Sequence, residues 1–142
     1  MGAAGIIRFM RLDLERGTAT YAILGCGPGY VMVNTERITR SVLVAPEHLV
    51  RDWRPPSFDA LRKEDFEIIS ELNPEVVLLG TGQQLRFPAA DLSAPLRFKN
   101  IGLEVMDTAA ACRSYAVLMS EGRLVIAALL MIESGTLQLP SL

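Results

Sequence analysis

Two uninterrupted apolar runs, at residues 76–79 and 124–132, constrain the fold of this chain more than any other feature of its sequence. The longer run has nine residues, whereas a helix needs about 20 apolar residues to cross a bilayer. Pro74 and Gly80 bound the shorter run. Short, bounded apolar runs of this kind are typical of strands buried on both faces of a sheet. The sequence therefore predicts two interior strands, with residues 124–131 forming the central one.

Each apolar run follows a segment in which apolar residues recur at helical spacing. In the first segment, which starts near Leu61, Phe66, Ile69 and Leu72 lie three residues apart and predict one apolar helix face. Pro74 prevents the helix from continuing. The charged residues of the segment are expected to form a solvated helix face: Glu64, Asp65, Glu67 and Glu71.

A second helix is predicted over residues 108–121. Asp107 or Thr108 can cap its start, because a side-chain oxygen there can accept a hydrogen bond from an otherwise unpaired backbone N–H group. Gly122 is placed to end the helix in a left-handed conformation. The residues expected to share its apolar face are Ala111, Tyr115 and Leu118.

Shorter elements are predicted around these helices and strands. The front of the chain predicts a meander of antiparallel strands, at residues 21–24, 30–33 and 41–45, with turns at 25–29 and 34–36. Residues 51–57 are expected to form a loop, 89–100 a short helix or irregular crossover divided by Pro95, and 103–106 a strand. A meander followed by alternating strands and helices predicts an α/β fold with a central sheet covered by helices.

The length of 142 residues fits one domain, which is expected over residues 19–133, with a flexible leader at 1–18 and a tail at 134–142. A net charge of −2 excludes a global field that would attract nucleic acid or anionic lipid. No secretory signal or membrane span is visible, so a cytoplasmic location is expected. With one histidine and two cysteines 86 positions apart, the chain predicts neither a disulfide framework nor a metal site, and no cofactor is expected.

The sharpest candidate site is Gly80-Thr81-Gly82-Gln83, directly after the first apolar run. Ligands of α/β sheets bind beyond the carboxyl ends of strands, and glycines there let backbone N–H groups approach an anion. The dinucleotide fingerprint nevertheless fails, because Leu85 stands where its third glycine should be. The alternative is a tight turn that requires positive φ angles, and this interpretation is favoured.

Four further residues have both a functional and a structural interpretation. Asp107 could act as an acid or base, although capping explains it, and Thr108 stands at the same helix start. Arg113 could bind a carboxylate or phosphate, or form a surface ion pair. Trp53 could be a hot spot for a protein partner, or it could cover the core beneath the loop. The sequence leaves these alternatives open.

The two cysteines are candidates for reactivity. Cys26 could be exposed at the tip of the predicted 25–29 turn and open to oxidation. Cys112 lies in the first turns of the second helix, where the helix dipole modestly favours a thiolate, and His48 is the one histidine that could act as its base. Cysteine is among the most buried residue types, however, so Cys112 is expected to lie in the core.

Several segments in order resemble the Mth938-like (DUF498) domain family: 41–46, 74–75 with 78–82, 106–108 with 110–113, and 121–123. The resemblance covers roughly residues 20–131. It implies a three-layer Mth938-like fold with a central mixed sheet, and no established activity, metal or cofactor. The family includes the mitochondrial assembly factor of respiratory complex I and many single-domain bacterial proteins of unknown function. Its typical Arg-Thr-Tyr-Asn motif is altered here, where Arg113 is followed by Ser114, Tyr115 and Ala116.

Two functional hypotheses follow. The first is a small non-enzymatic domain that binds protein partners of a membrane-associated complex, by its resemblance to the family. The alternative is a binder of a small anion or phosphate, or an enzyme, that uses the 80–84 loop and the start of the 108–121 helix. The oligomeric state is left open.

Overall fold

The computed structural model describes residues 20–133. The predicted leader, 1–18, and tail, 134–142, lie outside the described residues, and the boundaries of the single domain stay a prediction. The described part contains, in chain order, β1 Ile23–Gly27, β2 Tyr30–Val33, β3 Glu36–Ile38, β4 Val42–Ala45, β5 His48–Val50, a 3-10 turn Phe58–Ala60, α1 Lys63–Glu71, β6 Val76–Thr81, α2 Ala94–Phe98, β7 Gly102–Met106, α3 Thr108–Ser120 and β8 Val125–Leu130.

The strands form two sheets. β1, β2 and β3 make an antiparallel three-stranded sheet, and the central sheet has the order β5-β4-β8-β6-β7. β4 is antiparallel to β5 and β8, whereas β6 is parallel to β7 and β8, so the central sheet is mixed. β8 is its middle strand, and every residue of β6 and β8 is buried. The predictions of a central mixed sheet and of two interior strands are confirmed.

The two faces of the central sheet carry separate apolar cores, because successive side chains of a strand point to opposite faces. On the face that we call the α3 face, Val76 and Leu78 pack against α3 and the three-stranded sheet. On the opposite face, which we call the α1 face, Val77 and Leu79 pack against α1, α2 and the 51–57 loop. The predicted three-layer α/β arrangement is therefore confirmed.

The front of the meander differs from the prediction. Gly25, Cys26 and Gly27 belong to β1, and the turn is limited to Pro28 and Gly29, with Gly29 at φ +81°. Gly27 stands opposite Tyr30, where a Cβ atom would lie 2.8 Å from the Tyr30 ring. The glycine thus makes room for the Tyr30 side chain within the strand pair and does not form the turn. The three-residue strands β3 and β5 were not predicted, because they are too short to show a period.

The predicted ends of the long helix agree with the structure. Asp107 caps α3, with its Oδ1 accepting from the Ala110 N–H at 2.8 Å, and Gly122 follows the helix at φ +75°. Pro95, by contrast, does not divide a helix. It lies in the first turn of the short helix α2, where the missing N–H has no intrahelical partner to lose.

Candidate functional site

Parallel pairing brings the candidate loop and the candidate helix start together. The carboxyl ends of β6, β7 and β8 lie at the same end of the central sheet, where Gly80 pairs with Met106 on one side and with Leu129 on the other. The loop after β6 therefore lies beside the start of α3, which follows β7. We call residues Gly80–Gly82 together with Asp107 and Thr108 the carboxyl-end junction.

Thr108 joins the three strand ends at this junction. Its side chain is buried, and its Oγ1 donates to the Leu130 carbonyl oxygen at 2.6 Å and accepts from the Gly82 N–H at 2.8 Å. The Thr108 backbone N–H donates to the Gly82 carbonyl oxygen at 2.9 Å. One residue thus pairs polar groups of the 80–84 loop, β8 and the first turn of α3.

The two glycines of the junction are required for different reasons. A Cβ atom on Gly80 would lie 2.9 Å from Thr108 Oγ1 and 3.0 Å from Thr108 Cα, so only glycine lets α3 approach β6 this closely. Gly82 adopts φ +99°, a backbone conformation that other residues rarely take. The expectation of a tight turn with a positive φ angle is met at Gly82. Gly80 and Thr81, which were expected in the loop, belong to β6, so the turn begins at Gly82.

Four backbone N–H groups at the junction and at the helix start are already paired. The Gly82 N–H donates to Thr108 Oγ1, and the Thr108 N–H donates to the Gly82 carbonyl oxygen. At the start of α3, the Ala110 N–H donates to Asp107 Oδ1 and the Ala111 N–H donates to the Asp107 carbonyl oxygen. An anion would have to displace these bonds and would meet the Asp107 carboxylate beside the helix start. The geometry therefore explains the glycines, Asp107 and Thr108 as structural residues and gives no support to a bound anion.

Thr81 and Gln83 face away from α3. Thr81 Oγ1 donates to the Gln84 carbonyl oxygen at 2.6 Å, which closes the turn, while the Gln83 side chain is exposed. Both residues line a cleft of about 290 Å³ between the 80–84 loop and the 3-10 turn. In that cleft Arg86 stacks on the Phe58 ring, 4.3 Å from its centroid, and pairs with Asp59 at 2.8 Å. The cleft and the start of α3 are therefore separate features, because neither Asp107 nor Thr108 lines it.

Trp53 covers the core, which decides between its two interpretations. It is 3% exposed and packs on the α1 face, and its Nε1 donates to the Asp65 carbonyl oxygen at 3.2 Å. The prediction that Asp65 lies on a solvated face is wrong. Its carboxylate is 1% exposed and accepts from Arg54 Nε at 2.9 Å, Arg54 Nη2 at 2.8 Å and the Arg62 N–H at 2.8 Å. Asp65 therefore anchors the 51–57 loop to α1, a role that only the folded chain reveals.

Arg113 lies on the exposed side of α3. Among the residues that the structure describes it makes no hydrogen bond or ion pair, so the surface ion pair is not seen there and its role in binding stays a prediction.

The structure brings together the two cysteines, which sequence reasoning had treated separately. Cys26 lies in β1 rather than at a loop tip, is half-buried, and packs in the same core as the buried Cys112. Burial raises the pKa of Cys112, and the neighbouring Cys26 thiol raises it further. His48 is exposed on β5. The expectation that Cys112 is a core residue is confirmed.

Within residues 20–133, no group of three or more His, Cys, Asp and Glu side chains is arranged to hold a metal ion. The helices in the same range are all too short or too polar to cross a bilayer.

The family of the chain follows from comparison with known proteins. Residues 23–130 match the model of a family described as a protein of unknown function (DUF498/DUF598). The chain belongs to this DUF498 family. A Homo sapiens relative, NADH dehydrogenase (ubiquinone) 1 alpha subcomplex assembly factor 3, is 31% identical over 131 residues, which are 91% of this chain and 70% of the relative.

Two solved structures are similar to this chain in fold. A crystal structure of a Bordetella parapertussis protein has a TM-score of 0.75 and 36% identity, and covers 80% of this chain and 97% of its own. A solution structure of a Bordetella pertussis protein, described as a Mth938-like domain, has a TM-score of 0.68 and 28% identity. The match covers 80% of this chain and 87% of the Bordetella pertussis protein. The resemblance to the Mth938-like (DUF498) family is confirmed.

Proposed function

We propose that this chain is non-enzymatic and acts by binding another protein, in the manner of an assembly factor for a membrane-associated complex. The observation that carries the proposal is the similarity to relatives named as assembly factor 3 of the NADH dehydrogenase 1 alpha subcomplex. That similarity extends over 91% of this chain at 31% identity for the Homo sapiens protein. The likeness spans the described domain, and the role is transferred by analogy with the family, because a shared fold does not itself determine function.

The geometry of the candidate residues supports the same proposal. The groups that could have served chemistry at the carboxyl-end junction are engaged in bonds that hold the strand ends and the helix start together. Cys112 is buried with a raised pKa, which opposes nucleophilic attack, because the thiolate is the reactive form. These residues are used for structure, which leaves the surface of the domain as the part available for function.

The proposed partner is a protein of a membrane-associated complex, met from the cytoplasm. Nucleic acid is not expected as a partner, because the net charge of −2 supplies no basic field. No cofactor is needed for a role of this kind.

Affinity capture and a deletion test the proposal. The tagged chain is used to capture proteins from detergent-solubilised membranes, and NADH dehydrogenase activity and assembly are measured in cells that lack the chain. We expect a stoichiometric partner and a reduced amount of the assembled complex, restored by the chain in trans. Recovery of no stoichiometric partner, together with normal assembly and activity in the deleted cells, would overturn the proposal.

A thermal-shift series separates this proposal from the anion-binding hypothesis. Phosphate, sulfate and small carboxylates are added at millimolar concentration to the purified chain at constant ionic strength. Because the N–H groups of the junction are paired internally, we expect the midpoint of unfolding to stay within about 1 °C. A saturable rise with one anion, equivalent to RT ln(1 + [L]/Kd), would instead favour a ligand-binding role.

A further inference from the structure

The two edge strands of the central sheet, β5 and β7, differ in how well they are protected against pairing with a further strand. β5 has three residues and follows Pro46, so it offers little backbone for pairing. β7 has five residues, Gly102-Leu103-Glu104-Val105-Met106, with no proline, no lysine and one charged residue. Natural sheet edges are commonly blocked by short strands, proline or several charges. β7 carries little of this protection.

The backbone of β7 presents unpaired groups on its outer side. The Gly102 N–H donates to the Glu75 carbonyl oxygen, and β7 is parallel to β6 with Leu78 opposite Glu104. In a parallel pair alternate residues bond to the same neighbour, so Gly102, Glu104 and Met106 bond to β6. The N–H and C=O groups of Leu103 and Val105 therefore point away from the sheet. Within residues 20–133, no other backbone segment pairs with them.

A groove runs beside this edge on the α3 face. It has a volume of about 260 Å³ and lies between β7 and α3. Its exposed lining residues include Glu104, Val117, which is 56% exposed, and Arg123, whose guanidinium pairs with Glu75 at 3.0 Å. Leu103 and Val105 point to the opposite face, where they are partly buried against the α1-face core. The edge thus combines open hydrogen-bonding groups and apolar surface on both faces with the Glu104 carboxylate, which has no ion pair within residues 20–133, whereas the Arg123 guanidinium of the groove is already paired with Glu75.

Charge opposes pairing of β7 with a second copy of itself. In antiparallel pairing about a two-fold axis, the register that uses all five residues places Glu104 directly opposite Glu104. Like charges directly opposite one another destabilise a strand pair. The other symmetric registers that keep the outward groups paired shorten the overlap to three residues. A strand that carries a cation opposite Glu104 fits the edge better than a second copy does.

We propose that the β7 edge binds an extended segment of a partner protein as a sixth strand of the central sheet. The segment carries a lysine or arginine opposite Glu104 on the α3 face. Apolar residues flank this cation, because neighbouring positions of the added strand meet Leu103 and Val105 on the other face. Backbone pairing supplies affinity, and this apolar–basic–apolar pattern supplies specificity. The proposal rests on the proposed protein-binding function and names the surface and the chemistry of its partner.

Photo-crosslinking locates the partner segment. A benzophenone amino acid replaces Val117 at the groove or, as the control, Phe98, which is 85% exposed on α2. Each variant is incubated with the same solubilised membranes and irradiated, and crosslinked peptides are sequenced by mass spectrometry. We expect the Val117 probe, and not the Phe98 probe, to couple to one segment with the apolar–basic–apolar pattern.

A peptide of that segment then tests the ion pair. Its Kd is measured for the wild-type chain, for Glu104→Lys, and for Glu47→Lys, which makes the same charge change on the turn beside the opposite edge. We expect binding to weaken at least tenfold for Glu104→Lys and to be unchanged for Glu47→Lys. A peptide whose basic residue is changed to glutamate should bind Glu104→Lys more tightly than it binds the wild-type chain.

A second variant tests backbone pairing. Val105→Pro removes an outward N–H and no bond to β6, so it should weaken peptide binding at least tenfold while the chain remains folded by circular dichroism. Unchanged affinity in both Glu104→Lys and Val105→Pro would overturn the proposal and leave the protein-binding function standing. A crosslink formed only by the probe at position 98 would also overturn the proposal, as would a crosslink that joins two copies of the chain. If the wild-type chain captures no partner, the proposed function itself fails, and this inference fails with it.

Discussion

The carboxyl-end junction and the β7 edge are both boundaries of the central sheet, but they treat backbone polar groups in opposite ways. At the junction Thr108 pairs the end of β8 with the loop after β6. At the edge the N–H and C=O groups of Leu103 and Val105 face outward without a partner among residues 20–133. The amino-acid sequence does not reveal this difference, because the glycines at residues 80–82 resemble a ligand site more than the β7 sequence does.

The contrast indicates which part of the central sheet has backbone groups available to bind a partner. Buried polar groups must be paired, and a site that satisfies its own groups has no donors left for a ligand. Open groups at a sheet edge cost little while water reaches them, and they become available when another strand approaches. Substitutions that change one boundary at a time should therefore affect the two boundaries differently.

The largest effect is expected from Thr108→Val at the junction. Valine keeps the shape of threonine but removes the hydroxyl, which leaves the buried Leu130 carbonyl and the Gly82 N–H without partners. Leaving a buried group unsatisfied costs about 1–3 kcal/mol, so we expect the free energy of unfolding to fall by about 3 kcal/mol. Urea denaturation at pH 7 measures it. Thr108→Ser, which keeps the hydroxyl, should lose less than half as much.

A smaller loss is expected from Gly80→Ala. A Cβ atom there would lie 2.9 Å from Thr108 Oγ1, so α3 must move away from β6. Overpacking of this kind costs about 1–3 kcal/mol. Gly25→Ala is the matched control, because nothing lies within 4 Å of a Cβ atom at that position. Equal stabilities of the two variants would show that close approach at the junction is not needed.

Sequence alone predicted the features of the fold that are local. The Asp107 cap and the left-handed Gly122 depend on neighbours within one helical turn, and both are observed. The interior position of β6 followed from an apolar run bounded by Pro74 and Gly80. Such signals can be identified without knowing the fold, because the groups that interact are close along the chain.

The features that sequence missed depend on partners distant in the chain. Thr108 meets Leu130 across 22 positions, and the Asp65 carboxylate is buried because Arg54 reaches it from the preceding loop. Cys26 and Cys112 come together only when β1 packs against α3. No spacing rule connects such pairs, so a charged residue on an apparent surface helix or two isolated cysteines cannot be interpreted correctly before the topology is known.

Replacement of Cys112 tests whether the core beside the start of α3 excludes water. Burial raises its pKa in the folded chain above the value of about 8.5 expected in the unfolded chain. Above that pH the unfolded chain releases a proton that the folded chain retains, so stability falls as pH rises, by at most about 1.4 kcal/mol per pH unit for one group. We expect Cys112→Ala to cost about 1 kcal/mol at pH 7. The difference from wild type should shrink or reverse by pH 10.

Urea denaturation of both proteins at pH 7 and pH 10 measures this difference, and Tyr115, whose pKa burial also raises, is common to both. Native-state maleimide labelling provides an independent readout. Rapid modification of Cys112 in the folded chain near pH 7 would show that the thiol is accessible and ionised, and would reopen an enzymatic interpretation of the helix start.

The smallest effect on stability is expected at the β7 edge, where Glu104→Lys should change the free energy of unfolding by less than about 0.5 kcal/mol. The side chain is exposed and forms no ion pair within residues 20–133, and surface substitutions of this kind are usually nearly neutral. In the free chain, amide exchange followed by NMR should be faster at Leu103 and Val105 than at Glu104 and Met106, because only the latter two bond to β6. Equal protection of all four amides would mean that the edge is already covered, and the contrast with the junction would disappear. Fast exchange at alternate positions, together with unchanged stability in Glu104→Lys, would show that this boundary is open in the free chain. Any loss of partner binding in that variant would then reflect the charge at the edge and not a damaged fold.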